Sequence, residues 1–536
     1  MRMGQQAPIN NQRRSLVLFL FHLLLFSYPL LSLLWRRSYP ILIIEVGLLF
    51  FLFILLAILL AFVLNKARPA IGNVLSTLVI AITLMLQFNF LLPGLVVSVL
   101  LSMLLVWLLR DNFQIFGITV LIALILGAYF DSYRDENLVN VGSSPSAVNT
   151  DLPPVVHIVL DSFIGIDGLP AYKSAVELKG QIYSFLNEYD FQVFPRAYSR
   201  YLRTGDSFYS AMNFRHDGVS EYDLELLGRR EHIMKTNAEF DMLGKLGYRL
   251  NVYQTGHLDF CKSNPHMLER CWQYAHPNTA SIEQARSVIV RARMLMQVVM
   301  AQSRLVTDLV KFTEIMHDQG IAYHDPRVFS VLKDDLENGA DGRIYFAHVL
   351  LPHGPFAFTS NCTINYDSPV WVRYAMAKND ELNSHQYKMR YTAYFEQVYC
   401  TLNSLSQLFE AMKTNGIYER SIIVIHGDHG SLIGKNLPRY SNLELLRPED
   451  YRAHFSTLFA IKFPGQPAKI NNDVLPIGLL LEAFSKLINE YVVNPDNRVE
   501  IEQMFSNDSE KLDPYVYLLG TTPQKRVDID IFADQD

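Results

Sequence analysis

The sequence predicts two parts of different class: an α-helical membrane domain of about five spans, followed by a three-layer α/β domain with a mostly parallel sheet. Three observations predict this. The first 130 positions hold nearly continuous apolar runs, whereas the remainder has the composition of a soluble protein. Beyond them, short β-branched strands alternate with longer helical stretches. Two of these strands end abruptly in acidic residues: Val155–Leu160 runs into Asp161, and Ser421–His426 into Gly427-Asp428-His429-Gly430.

A spanning helix needs roughly 20 apolar residues, with about 17 as the lower limit. Runs of that length lie at Ser15–Trp35, Pro40–Leu64, Ile71–Leu92, Pro93–Leu109 and Gln114–Phe130. The first is too long for a cleavable signal, and further spans follow it at once. Arg2, Arg13, Arg14, Lys66, Arg68 and Arg110 fall on one side of a five-span arrangement, and Arg36, Arg37 and Arg134 on the other. Basic loops stay inside, so the N-terminus is expected inside and everything after Phe130 outside. Glu45, near the outer end of span two, is expected to pair with Arg36 or Arg37 at the interface.

At 536 residues the chain exceeds one ordinary domain. We place the membrane domain at 1–135, a Ser/Pro/Asn/Gly-rich linker at 136–154 and an extracytoplasmic catalytic domain at 155–536. A net charge of −6 gives no sign of a nucleic-acid partner. Cys261, Cys271, Cys362 and Cys400 all fall in the outer domain, where an even count points to two disulfides. Nearest neighbours close the shortest loops, which favours Cys261–Cys271 and Cys362–Cys400. In the outer domain the remaining clear strands are Tyr248–Tyr253, Ile344–Leu350 and Thr457–Phe463, and the clear helices are Ser281–Phe312 and His385–Thr414.

Strand ends aim side chains into the crevice where open α/β sheets bind ligands. Asp161 stands at one such end, and Asp428 and His429 at another. An anionic oxygen beside a neutral imidazole is what a zinc-type cation binds. Thr204, Ser207 and Ser210 are spaced by three, which lines them along one helical face. Thr204 would begin that helix, where free N–H groups favour an anion and a nearby cation could make its hydroxyl nucleophilic. The plainer alternative is a helix cap at Thr204 or Asp206. His353 sits in a stiff Pro-His-Gly-Pro turn after a strand, and His348 inside that strand reads equally well as a core residue. His454 precedes the last strand and by itself reads as a surface histidine.

Strand-Asp161, Thr204-x-x-Ser207-x-x-Ser210, Pro352-His353-Gly354-Pro355 and Gly427-Asp428-His429-Gly430, in that order, resemble the sulfatase-like branch of the alkaline phosphatase superfamily. Within it the sequence is most similar to the membrane phosphoethanolamine transferases and the lipoteichoic-acid synthase-like phosphoglycerol transferases, which also join about five spans to an outer catalytic domain. Residues 220–345 match no part of that pattern. The resemblance implies a metal held by Asp161, Thr204, Asp428 and His429, with Thr204 as catalytic nucleophile. The transferases commonly carry Glu at the first position, and this chain has Asp161. It further implies that His353 and His454 bind substrate phosphate or a second metal. Arg203, beside the nucleophile, could contact phosphate. The implied cofactor is a divalent metal, zinc foremost, with manganese or magnesium as alternatives. The implied partners are a membrane phospholipid donor and a glycan or glycolipid acceptor. A C/S-x-P-x-R run, which sulfatases oxidise to formylglycine, is absent from the sequence, and this favours phosphoryl-group transfer over sulfate-ester hydrolysis.

The expected function is therefore transfer of a phospho-alcohol headgroup, phosphoethanolamine or phosphoglycerol, through a phospho-Thr204 intermediate. A sulfatase-like hydrolase and a non-catalytic membrane binding protein stand as alternatives, and a transporter formed by the spans as a weaker one. The expected location is the cytoplasmic (inner) membrane, with the C-terminal domain in the periplasm or outside.

Overall fold

The computed structural model describes residues 6–36, 41–66, 118–126, 149–215, 233–255, 258–274, 287–301, 327–354, 356, 358–363, 365, 384–494, 514–520 and 524–532. The chain divides into two compact units, Met1–Asn137 with Thr279–Ala322, and Leu138–Asn278 with Tyr323–Asp536.

In the first unit, helices Gln6–Arg36 and Ile44–Lys66 pack side by side. Their segments Ser15–Trp35 and Ile44–Lys66 are long and apolar enough to cross a membrane. These are two of the five expected spans. The expected spans at 71–92 and 93–109 lie outside the described residues, and of the fifth only 118–126 is described, as helix. Helix Val288–Ala301, which the sequence reading placed within the outer domain, packs against both N-terminal helices. Arg291 on it pairs with Glu45; of the two partners expected for Glu45, Arg37 and the side chain of Arg36 lie outside the described residues.

The second unit is built on one eight-stranded sheet. Its strands are β1 (Val155–Leu160), β2 (Gln192–Val193), β4 (Arg249–Thr255), β5 (Leu268–Tyr274), β6 (Arg343–Val349), β7 (Ile422–His426), β8 (Phe459–Lys462) and β9 (Lys469–Ile470); β3 is the short strand Ala197–Tyr198 outside this sheet. The order is β5-β4-β6-β1-β7-β8-β2-β9. Pairing is parallel from β5 through β7, and β8 runs antiparallel to both its neighbours. Every residue of β1 and β7 is buried, as expected of central parallel strands covered on both faces. Helices Lys173–Glu188 and Arg327–Glu337 each pack on Ser384–Thr414, and helices Thr204–Met212 and Ala238–Lys245 pack on Ile477–Val493. The result is the mostly parallel α/β sheet that the strand-helix alternation predicted.

The four cysteines form Cys261–Cys271 and Cys362–Cys400, the pairing expected from loop length. The expected helix His385–Thr414 is Ser384–Thr414. Of the expected helix Ser281–Phe312, residues 287–301 are described.

Candidate metal and phosphoryl-transfer site

Strands β6, β1 and β7 are adjacent and parallel, with Leu160 beside Val349 and Val159 beside His426. Their C-terminal ends therefore open at one edge of the sheet. Asp161 follows β1 directly, and its N–H donates to the Val349 carbonyl at 2.9 Å. Ser162 then turns sharply, with φ of 63°, and points its N–H at Asp428 Oδ1, 2.9 Å away. A non-glycine residue held at positive φ is costly and often marks a functional turn. Buried Tyr394 clamps this turn from helix Ser384–Thr414: its hydroxyl donates to the Ser162 carbonyl at 3.1 Å and accepts from Ile164 N–H at 2.8 Å.

After β7 the chain runs Gly427-Asp428-His429-Gly430. Both glycines are needed for close approach. A Cβ on Gly427 would lie 2.3 Å from Thr457 Oγ1, and one on Gly430 would lie 2.5 Å from the Ala453 carbonyl oxygen. Asp428 is held on three sides. Its Oδ1 accepts from Ser162 N–H and from His429 N–H at 2.9 Å, and its carbonyl accepts from the Ser207 hydroxyl at 2.5 Å.

Thr204 is the first residue of helix Thr204–Met212, and no side chain caps that end. The alternative of a plain cap at Thr204 is thereby answered. Its Oγ1 stands 3.5 Å from Asp161 Oδ2 and 3.3 Å from His429 Nε2. The three hydroxyls of the sequence pattern separate in role. Ser207 supports Asp428, whereas Ser210 donates to the Arg215 carbonyl at 2.9 Å, away from Thr204. Asp206 is buried and accepts from Gln524.

Asp161, Asp428 and His429 are all buried and offer ligand atoms within 4.8 Å of one another. His429 donates Nδ1–H to the Gly430 carbonyl at 2.6 Å, so its Nε2 lone pair is directed inward. That Nε2 lies 3.2 Å from Asp428 Oδ2, yet Oδ2 is a buried atom with no hydrogen-bond partner. Two ligand-type atoms thus face one another with no aligned hydrogen bond between them. Ligands about 2.0–2.2 Å from a tetrahedral cation lie about 3.3 Å apart, and the spacings here are 3.2, 3.3 and 3.5 Å. Burial and the charge of Asp161 push the Asp428 carboxyl up from its ordinary range. Burial would lower His429, but the carboxylates of Asp428 and Asp161 more than offset it and raise it. Burial would raise Asp161, yet His353, His348 and His429 hold it well below the usual carboxylate range. Two buried carboxylates and an orphaned oxygen fit a divalent cation.

His353 lies half-buried in the loop after β6, close enough for its charge to lower Asp161. Its Nδ1 donates to the Gly354 carbonyl at 2.5 Å, and Gln397 fixes the turn by donating to the Pro352 and His353 carbonyls at 3.1 and 2.8 Å. His454 corrects the surface expectation, because it is fully buried. Its Nδ1 donates to the Asp450 carbonyl at 2.6 Å, burial pushes it down to about 4, and its Nε2 has no hydrogen-bond partner. Gly434 makes room for the ring, since a Cβ there would lie 1.9 Å from His454 Cε1. Arg203 precedes the helix with an exposed side chain.

Two contributors escaped the sequence reading as site residues. His348, weighed as a core residue, places Nε2 at 3.3 Å from Asp161 Oδ2. A histidine in an otherwise apolar strand was the available signal. Ser162 gave no signal, because it acts through its backbone N–H.

Known structures similar to this chain include sulfatases, a lipoteichoic acid synthase, EptC periplasmic domains and a protein of the alkaline phosphatase superfamily. The lipoteichoic acid synthase LtaP from Listeria monocytogenes is 14% identical, over 66% of this chain and 76% of its own, with a TM-score of 0.38. The C-terminal periplasmic domain of EcEptC from Escherichia coli, in complex with Zn, is 12% identical over 65% and 88%, with a TM-score of 0.38. A phosphonate monoester hydrolase of Agrobacterium radiobacter is 11% identical over 63% and 74%, with a TM-score of 0.40. No protein-family model matches the sequence. No curated protein matches it significantly. Likeness this loose favours no particular activity, so the functional reading rests on the residues themselves.

Proposed function

We propose that this protein is a membrane-anchored, metal-dependent transferase. It moves a phospho-alcohol headgroup, phosphoethanolamine or phosphoglycerol, from a phospholipid to an envelope glycan or glycolipid. The observation that carries this reading is the position of Thr204 Oγ1, between Asp161 Oδ2 at 3.5 Å and His429 Nε2 at 3.3 Å. A buried hydroxyl at a helix start, beside a carboxylate and an imidazole that can take its proton or hold a cation against it, is placed to act as a nucleophile.

Asp161, Thr204, Asp428 and His429 would hold the divalent cation, zinc before manganese or magnesium. When bound, it supplies positive charge that stabilises the Thr204 alkoxide and the phosphoryl oxygens. Thr204 loses its proton and forms an O–P bond, the bond from phosphorus to the diacylglycerol oxygen breaks, and diacylglycerol leaves with a proton. An acceptor hydroxyl then forms its own O–P bond, the Thr204 bond breaks, and the hydroxyl proton is released. The N-terminal end of the Thr204 helix would face the phosphate oxygens. His353 protonates the leaving oxygen, and neutral His454 binds phosphate or a second cation. The exposed Arg203 meets the phosphate at the mouth of the site. The two apolar N-terminal helices suit a membrane anchor. We place the anchor in the cytoplasmic membrane as a five-span domain, with the disulfide-bearing domain outside, where thiols oxidise.

The test is mass spectrometry of the Thr204 peptide after incubation with total membrane phospholipid. A headgroup mass on Thr204, discharged by added glycan, supports the transferase. Discharge to water alone, unchanged by any glycan, favours the hydrolase. An unmodified Thr204 during turnover removes it from the mechanism.

A further inference from the structure

The proposed chemistry leaves a second set of buried titratable groups unused. His157 is the polar residue of apolar β1, and His426 ends β7; both are essentially inaccessible. Their Nε2 atoms are 2.7 Å apart. Glu239, buried in the first turn of helix Ala238–Lys245, brings Oε1 to 2.9 Å from His157 Nδ1. This contact is close but too poorly aligned for a regular hydrogen bond, and the other carboxylate oxygen, Oε2, has no partner. Phe346, Phe484 and Phe459 pack around the two rings.

An apolar core would be easier to build here. Buried polar groups are costly unless they are bonded, and buried ion pairs can often be replaced by apolar groups without loss of stability. Where the chain of contacts ends is therefore informative. His426 donates Nδ1–H to the Gly427 carbonyl at 2.8 Å. Its Nε2 must then accept, and His157 donates to it from Nε2. Gly427 N–H in turn donates to the Leu458 carbonyl at 2.9 Å. Both peptide groups of the residue just before Asp428 are thereby pinned.

We propose that Glu239, His157 and His426 are positioning residues that hold the Gly427–Asp428 peptide and so preset Asp428 and His429 for the divalent cation. Such outer partners commonly alter metal affinity tenfold to a hundredfold. The inference rests on the reading of Asp428 and His429 as metal ligands, and it extends the site by three residues, one of them on a further element, helix Ala238–Lys245.

The test is zinc affinity of the full-length protein in detergent, measured by competition with a chelating dye, with thermal stability measured alongside. His426→Phe keeps a ring but loses the bond to Gly427, and zinc binding should weaken at least about tenfold. His426→Asn keeps an N–H near that carbonyl and should recover most of the loss. Glu239→Gln should weaken binding in the same direction. Lys462→Met is the control: this buried ammonium donates to the Tyr418 carbonyl at 2.8 Å at the other end of β7, so its loss should lower the melting temperature and leave affinity unchanged. Equal affinity in the wild type, His426→Phe and Glu239→Gln overturns the proposal. So does an affinity loss in Lys462→Met as large as in His426→Phe, which would make the effect general destabilisation. A wild type that binds no divalent cation overturns the metal reading and this inference with it, and only the first two results leave the metal reading standing.

Discussion

Arg291 grips Glu45 with two nitrogens, Nε at 2.8 Å from Oε1 and Nη2 at 3.3 Å from Oε2, across 246 residues of sequence. The carboxylate is buried and the guanidinium partly so. Breaking such a pair on one side strands a charge and costs up to about 3 kcal/mol. Glu45→Gln and Arg291→Gln should each lower the melting temperature in detergent, and the double variant should recover most of the loss. Strict additivity in that cycle would show that the two side chains are not coupled.

Thr204 gives the sharpest activity prediction. Thr204→Ala should reduce headgroup release at least about a thousandfold, because a covalent step loses its nucleophile. Thr204→Ser keeps the hydroxyl and should retain measurable turnover. Circular dichroism of both variants should match the wild type, since Asp428 keeps its bonds to Ser162, His429 and Ser207.

Metal binding should depend on pH in a defined direction. His429 is raised by its neighbouring carboxylates, and Asp428 is raised by burial and by Asp161. Protons compete for both ligands, so affinity for zinc or manganese should fall as pH falls through these raised values. Asp428→Asn should abolish stoichiometric metal, as read by elemental analysis. Full metal content in that variant would remove Asp428 from the ligand set.

His454 predicts an acid-side loss of stability. Its folded value of about 4 lies below the ordinary value of 6.5. The unfolded chain therefore binds the proton first as pH drops, and stability declines between about 6.5 and about 4. The full effect is at most about 3 kcal/mol. His454→Gln should flatten this part of the stability profile in denaturant titrations at pH 7, 6, 5 and 4, while other carboxylates keep their own contributions.

Much of the site was legible in residue order. The apolar strands before Asp161 and Asp428, and the glycines on both sides of Asp428-His429, mark strand ends and close approach within a few residues of chain. Loop length was enough for the disulfides. The misreadings share one cause. His454 by itself reads as a surface histidine, and only the folded structure shows its ring to be buried, close against Gly434. His348 could be core or site until Asp161, 187 residues away, stands beside it.

The sequence by itself determined the classes of element, the two apolar N-terminal helices, the strand-end carboxylates and the threonine that begins its helix, because periodicity, capping and strand endings are short-range physics. Tertiary structure alone decided that Arg291 pairs with Glu45, that Ser162 N–H holds Asp428, and that His157 and His426 share a proton between strands. Those contacts join residues 246, 266 and 269 positions apart. No local propensity encodes them, since each bond forms only when the packing of whole elements brings its partners into reach.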